Sequence, residues 1–394
     1  MTSRLYSEYC TGCGLCKSFK DVSLYNDEKG YLTPKINHSE IDFCSKVCPA
    51  GGKALDRYQN GTIWGIYRNV ALGWSLDNEI RKKSSSGGVL TTLCIYILEN
   101  HLVDGVIQTR RAIEDIRKTE TIVSRTKEDV LSCMGSRYTT SSPLMNLNEL
   151  LRNGERYAFV GKPCDVSALR LYMDEVNPEL KSQIKYLFSF FCAGQPSLHA
   201  NNKLVKALGG EKLEECQDLQ YRGNGWPGYA TLTKKDGSKQ QMDYETSWMK
   251  ILGRDVRKIC RFCADGTGEL ADISCGDAWY LGENNRPDFT ERPGRNVIFA
   301  RTEQGEHLLR EVIESGQIIS EVFEPEQGGL KKMQPYHYTR KASLQVYKWA
   351  LRLCGRSFPL YDNRKLSLFA KGFAFKQKIL RFGGTVQRVL KGTI

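Results

Sequence analysis

Apolar positions set two alternating rhythms over the middle of the chain. Short apolar runs of strand length stand at Val103 to Thr109, Tyr157 to Val160 and Ile184 to Phe191. Between and around them, apolar residues recur at helical spacing over 88–100, 144–152, 165–173 and 197–208. In the first of these helices Val89, Leu90, Leu93, Ile97 and Leu98 form the apolar face. Strand-length runs alternating with helical periods predict an α/β fold. A hairpin is expected from Tyr229 to Met242, turning at Asp236-Gly237, and a later α/β unit from Val297 to Phe323.

Two of the strand–helix units share a detail. Tyr157–Val160 is followed by Gly-Lys-Pro and Cys164, and Ile184–Phe191 by Cys192 and Gly194. Strand–cysteine–helix twice over predicts neighbouring parallel strands, each presenting a thiol at the carboxyl edge. That edge is where open α/β sheets bind ligands.

The pattern changes at the C-terminal end. From Pro335 onward there are 13 Lys or Arg and 1 acid, Asp362, against 44 basic and 44 acidic side chains before it. The whole +12 net charge therefore sits in this tail. Val346, Trp349, Ala350 and Leu353 recur there at helical spacing between Lys348, Arg352 and Arg356, and Phe369, Phe373, Ile379 and Leu380 extend the pattern. Such a basic amphipathic segment suits an anionic membrane surface, an acidic partner protein, or a solvated cap on the core. No nucleic-acid-binding module accompanies the charge, so no nucleic-acid partner is expected.

The 14 cysteines bring chemistry into view. Cys10, Cys13 and Cys16 stand in CTGCGLC, and Cys48 precedes Pro49. Three cysteines at two-residue spacing plus a later Cys-Pro follow the ligand grammar of a bacterial-type [4Fe–4S] site. Zinc accepts four thiolates too, but its structural sites usually pair their cysteines two and two. Cys48 lies far downstream for a compact ferredoxin run, and Cys44 beside it is an alternative fourth ligand. Cys260 and Cys263, in CRFC, join Cys164 and Cys192 as a candidate second set. Cys94, Cys133, Cys216 and Cys354 read as packing residues, and Cys275 as an outside candidate.

One further stretch, RKKSSSGGVLTTL, places Ser84, Ser85, Ser86, Gly87 and Gly88 at the start of the 88–100 helix. Serines cap such a start, glycines let backbone N–H groups approach a ligand, and Lys82 and Lys83 add cations. The combination suits a phosphate group, and suits an ordinary capped helix as well.

Taken together, GKPCDVSALR, FFCAGQPS, YRGNGWPGY, CRFCADGTGELADISCGDAW and SSSGGVLTTL resemble the signature runs of the coenzyme F420 hydrogenase/dehydrogenase β-subunit family. That family also takes in flavin-dependent chlorophyll reductases. The resemblance covers about residues 5 to 330. It implies an α/β core with a mixed central sheet that binds FAD, and two [4Fe–4S] clusters that exchange electrons with the flavin. Cys164, Cys192, Cys260 and Cys263 fall on family cysteines. By the same motifs Ser85, Ser86, Gly87, Gly88 and Thr91 would line the flavin, with Tyr138 and Asn224 nearby. Lys162 replaces the family's threonine, and Ala193 its histidine, both beside expected cluster ligands.

The expected organisation is a ferredoxin-like iron–sulfur module at 1–60, a flavin- and cluster-binding core at 61–334, and a basic helical tail at 335–394. Five histidines and no Ser-His-Asp or HExxH pattern argue for electron transfer rather than hydrolysis. Glu269, Asp272 and Asp277 are candidate proton donors, and equally plain turn and cap residues. The expected activity is an oxidoreductase linking ferredoxin or reduced coenzyme F420 to an organic substrate. The alternative is an electron-transfer subunit of a larger hydrogenase or dehydrogenase. No eighteen-residue apolar stretch and no apolar leader occur, so a cytoplasmic location is expected, either free or peripheral at the inner membrane face.

Overall fold

The computed structural model describes residues 3–20, 22–56, 62–327 and 329–394. The expected boundary between 60 and 61 lies outside these residues. Near the N-terminus, β1 (Leu24–Asn26) and β2 (Leu32–Pro34) pair antiparallel. Asp27 closes their turn by accepting from the backbone N–H groups of Lys29 and Tyr31 at 3.0 and 2.9 Å.

The central strands follow: β3 (Asn69–Ser75), β4 (Gly105–Arg111), β5 (Thr119–Ser124), β6 (Tyr157–Gly161) and β7 (Ile184–Phe190). After a separate three-stranded sheet of β8 (Cys216–Gln220), β9 (Tyr229–Lys234) and β10 (Lys239–Asp243) come β11 (Ile273–Asp277), β12 (Asn296–Ala300) and β13 (Ile318–Val322). The large sheet has eight strands in the order β13-β3-β12-β11-β7-β6-β4-β5. Strands β4, β6, β7 and β11 run parallel to their neighbours in that group, and the flanking pairs are antiparallel. The sheet is mixed, and β6 and β7 are parallel neighbours as their sequences predict.

Several elements depart from the expected bounds for visible reasons. The helix after β6 spans Pro163–Glu175, with Pro163 in its first turn, so Cys164 lies inside the helix rather than before it. The expected 144–152 helix shrinks to Leu147–Leu150. Its first residues serve the cysteine loop instead: Leu144 N–H donates to the Cys13 carbonyl at 2.9 Å, and Met145 packs against Gly14. The hairpin β9–β10 forms across Asp236-Gly237 as expected. Helix Leu198–Ala207 is capped by Ser197, whose hydroxyl accepts from Ala200 N–H.

The C-terminal segment forms helices Pro335–Ala342, Leu344–Leu353, Asn363–Phe369 and Phe375–Leu390. Val346, Trp349, Ala350 and Leu353 do not share one face there. Val346 and Ala350 are buried with Leu344, Tyr347 and Leu351, whereas Trp349 and Leu353 point outward. Leu344, Tyr347, Leu351, Leu366 and Phe369 join one apolar core with Tyr6, Leu15 and Phe43 of the N-terminal segment and Phe159 and Leu169 of the sheet layer. That shared core brings both cysteine sets and the tail together. No helix among the described residues is long and apolar enough to cross a membrane.

Candidate functional site

The first cysteine loop depends on glycine conformations. Gly12 and Gly14 have φ of +78° and +86°, which turn CTGCGLC tightly enough to aim its thiols inward. Cys10, Cys13, Cys16, Cys44 and Cys48 line one hollow, walled by Leu15, Leu24, Leu32, Ile36 and Val47. Its empty volume is about 530 Å³, counting the part open to solvent. Cys48 N–H donates to the Cys44 carbonyl at 2.9 Å, so both thiols stand on one turn. Five thiols thus face a site with four expected corners. Burial pushes Cys13 up to about 11 and Cys44 up to about 12, and it lifts Cys48 well above the usual thiol range. Thiols buried in this way stay protonated unless a nearby cation, a side chain or a metal, favours the thiolate.

The second set converges from three places. Cys164 opens the helix after β6, Cys192 follows β7, and Cys260 and Cys263 bracket the end of helix Lys258–Arg261. Burial pushes Cys192 up to about 11 and Cys263 up to about 12, and negative charge on Cys260 adds to both. Burial also lifts Cys164 well above the usual thiol range, helped by Asp165, Cys192 and Cys263. Gln195 N–H donates to Cys260 Sγ at 3.4 Å. Among the described residues no three His, Cys, Asp or Glu side chains converge closely enough for a single ion. Thiols gathered in this way are the donor set that an iron–sulfur cluster takes, and that structural zinc takes as well.

Buried cations surround the thiols. Arg340, 4 % exposed, donates from its guanidinium to the carbonyls of Cys192, Ala193 and Cys260 at 3.1, 3.0 and 3.4 Å. Arg257, equally buried, donates to Gln195 Oε1 at 2.6 Å and to the Cys10 and Leu32 carbonyls at 3.5 and 2.8 Å. Neither arginine has a carboxylate partner among the described residues. Arg257 and Gln195 connect the two cysteine sets through contacts with Cys10 on one side and Cys260 on the other. Lys162 Nζ meets Asp165 and Ser141, each at 2.7 Å, beside Cys164. Arg257 also lies over the Tyr31 ring at 4.5 Å and Arg340 over the Tyr336 ring at 4.9 Å, so carbonyls and rings hold these two charges beside the thiols.

A second cradle lies at the start of helix Val89–Glu99. Gly88 caps it with φ +80°, and Val89 N–H donates to Asn296 Oδ1 at 3.4 Å. A Cβ on Gly87 would strike Asn296 Oδ1 at 2.7 Å and the Gly73 carbonyl at 2.8 Å. Ser136 N–H donates to Ser85 Oγ at 2.7 Å, and Ser86 Oγ donates to the Arg295 carbonyl at 3.0 Å. The buried Ser84 Oγ and Arg137 Nε have no partner, which fits a polar ligand at this cradle. Thr91 is half-buried one turn into the helix. Tyr138 Oη accepts from Arg222 at 3.3 Å. Asn224 sits at φ +55° in an exposed loop with its amide on Gln220, and neighbouring Gly225 N–H reaches the Lys82 carbonyl at 3.0 Å. Lys83 pairs with Glu79 at the surface. The serines, glycines and Tyr138 loop therefore form one neighbourhood.

The three carboxylates separate by environment. Asp272 accepts from Arg170, Thr302 and Leu187 N–H at 2.9, 2.8 and 2.7 Å, and so pins β7, β11 and a helix together. Asp277 accepts from Arg222 and from Trp226 Nε1, both at 2.9 Å. Glu269 is buried against Lys341 of the tail, and burial pushes it up to about 7. Cys275 lies in the sheet core with Cys94 as its thiol neighbour, a packing role.

Sequence reasoning missed two features. Trp226 and Trp279 stack at 4.6 Å, with Tyr244, Tyr280 and Phe289 around them, and form an aromatic box beside Arg222. The spaced RGNGW and GDAWY motifs carry the signal, but only folding joins them. The tail's Arg340 and Lys341 read as surface charge in the sequence, because helical spacing alone does not tell a basic face from an inserted one.

Comparison with known proteins gives the chain its family. Residues 70–148 match the family "Coenzyme F420 hydrogenase/dehydrogenase, beta subunit N-term", and residues 154–326 match the family that describes the C terminus of the same coenzyme F420 hydrogenase/dehydrogenase beta subunit. The coenzyme F420 hydrogenase subunit beta of Methanococcus voltae is 27 % identical, over 71 % of this chain and 92 % of its own. The chloroplastic 7-hydroxymethyl chlorophyll a reductase of Oryza sativa subsp. japonica is 22 % identical, over 77 % of this chain and 60 % of its own. A chain of the F420-reducing [NiFe] hydrogenase complex from Methanosarcina barkeri shares the fold, with a TM-score of 0.58 and 21 % identity over 75 % of this chain and 97 % of that one. The two matched segments together span more than half of the residues, and the chain belongs to the coenzyme F420 hydrogenase/dehydrogenase β-subunit family.

Proposed function

We propose that this protein is an iron–sulfur flavoprotein reductase that moves electrons between ferredoxin or reduced coenzyme F420 and an organic substrate. The single observation carrying the reading is the pair of buried arginines without carboxylates, Arg257 and Arg340, set against two gathered groups of thiols. Clusters on thiolates are anionic, and such cations would offset that charge. When bound, the clusters would supply single-electron steps and FAD would exchange electrons in pairs.

The chain's own residues then divide the work. Cys10, Cys13, Cys16 and Cys48 hold one cluster, with Cys44 the rival for its fourth corner. Cys164, Cys192, Cys260 and Cys263 hold the other. Ser85, Ser86, Gly87, Gly88 and Thr91 cradle the flavin through backbone N–H groups and hydroxyls, with Tyr138 and Asn224 at its edge. Leu15, Ile36 and Val47 give the first thiols an apolar wall.

Anaerobic mixing of the purified chain with reduced F420 or reduced ferredoxin, and a viologen dye as acceptor, tests the reading. Dye reduction is expected with at least one donor, and inertness with both would overturn it. A second reading, an electron-transfer subunit of a larger assembly, is favoured by relatives named as hydrogenase subunits. Activity only when co-purified with another polypeptide would select it.

A further inference from the structure

The two outermost tail helices carry a surface that neither cysteine set nor the flavin cradle explains. Helices Leu344–Leu353 and Phe375–Leu390 pack against each other. The first buries Val346, Tyr347 and Ala350 and leaves Trp349 and Leu353 53 % and 70 % exposed. The second buries Thr385 and Val389 and leaves Phe375, Ile379, Leu380 and Leu390 between 57 % and 79 % exposed. At helical spacing Phe375, Ile379 and Leu390 share a sector of roughly 60°, beside the face turned to the body, and Leu380 lies about 80° beyond it. Six large apolar side chains thus stand outward on neighbouring helices.

The charge on these two helices has one sign. Arg352, Lys376, Arg381 and Lys391 are exposed on these helices or just past them. Residues 363–394 contain eight Lys or Arg and no acidic side chain, whereas the first 334 residues balance 44 against 44. Protein–protein interface cores are depleted in lysine. Helices that lie in a lipid headgroup layer show the opposite mix, Lys and Arg beside Trp, Phe and Leu. With no helix among the described residues able to span a bilayer, the contact would be peripheral.

We infer that this two-helix face docks the protein on an anionic lipid surface, with the apolar side chains entering the headgroup layer and the cations meeting lipid phosphates. The lipid contact is independent of the redox reading, because it uses no residue of either cysteine set or of the flavin cradle.

The test is flotation of the full-length protein with two kinds of vesicle, phosphatidylcholine alone and phosphatidylcholine with phosphatidylglycerol. Binding is expected to anionic vesicles, about tenfold or more above neutral ones, and to fall in high salt. The exposed double changes I379S/L380S and K376Q/R381Q should each cut binding by about tenfold or more while leaving the circular dichroism spectrum and bound iron unchanged. No binding to anionic vesicles, equal binding to both kinds, or wild-type binding by both variants would overturn the inference. Self-association through this face without vesicle binding would overturn it too and assign the face to a second copy.

Discussion

Arg340 donates to the carbonyl of Cys192 at 3.1 Å, although 148 residues separate the two in sequence. A tail that reads as surface charge thereby delivers a buried cation to the second thiol group. Arg340→Gln removes that charge and should lower the midpoint potential of one cluster on the order of tens of millivolts, since a nearby cation favours the reduced, more anionic state. Arg340→Lys should restore most of the shift. An anaerobic redox titration followed by electron paramagnetic resonance reads it, and unchanged potentials in both variants would remove Arg340 from this role.

The two thiol groups should be separable. Cys13→Ser should cost one cluster and Cys263→Ser the other, each lowering iron from about eight to about four per chain. Bound flavin should remain in both, because the cradle at Ser85–Gly88 touches neither set. Iron and flavin assays on the same samples check this, and full iron in either variant would contradict it.

Gly12 is held at φ +78°, and a Cβ there would meet the Arg257 guanidinium at 2.7 Å. Gly12→Ala therefore adds backbone strain of about 1 kcal/mol and displaces Arg257 from Cys10 and Gln195. Iron retention in the first set should fall at least severalfold, and denaturant unfolding should show the stability loss. Gly237→Ala, at φ +83° with open space around it, is the control for strain alone.

Burial of Glu269 sets the sign of a pH dependence. Its carboxyl rises from 4.5 in the open chain to about 7 when folded, because of burial. The native state then binds the proton more tightly, so this group stabilises most below about pH 4.5, and that contribution is lost as pH rises toward about 7. The loss is roughly 3 kcal/mol at most. Glu269→Gln should flatten unfolding free energy over that window, whatever its effect on the absolute value. An unchanged slope would assign the dependence elsewhere.

Much of the fold was legible because its periods are local. The parallel pair β6–β7 and the β9–β10 hairpin follow from apolar runs and turn residues that sit next to each other in sequence. The thiols of CTGCGLC and CRFC were legible for the same reason. What periodicity could not show is what the chain brings back from far away. Arg257 sits 247 residues from Cys10, and Arg340 returns from the tail to Ala193, where the family resemblance leads one to expect histidine. The aromatic box of Trp226 and Trp279 was hidden likewise, and the tail's outward Trp349 beside buried Val346 defied a single-face reading.

The central claim is that two groups of thiolates carry inorganic clusters in a chain that also binds a flavin. Iron, acid-labile sulfide and flavin quantified in one anaerobically purified sample test it most directly. About eight irons, as many sulfides and one FAD per chain are expected, in a brown protein that bleaches on reduction. A colourless sample with zinc in the thiol sites and no flavin would contradict the account.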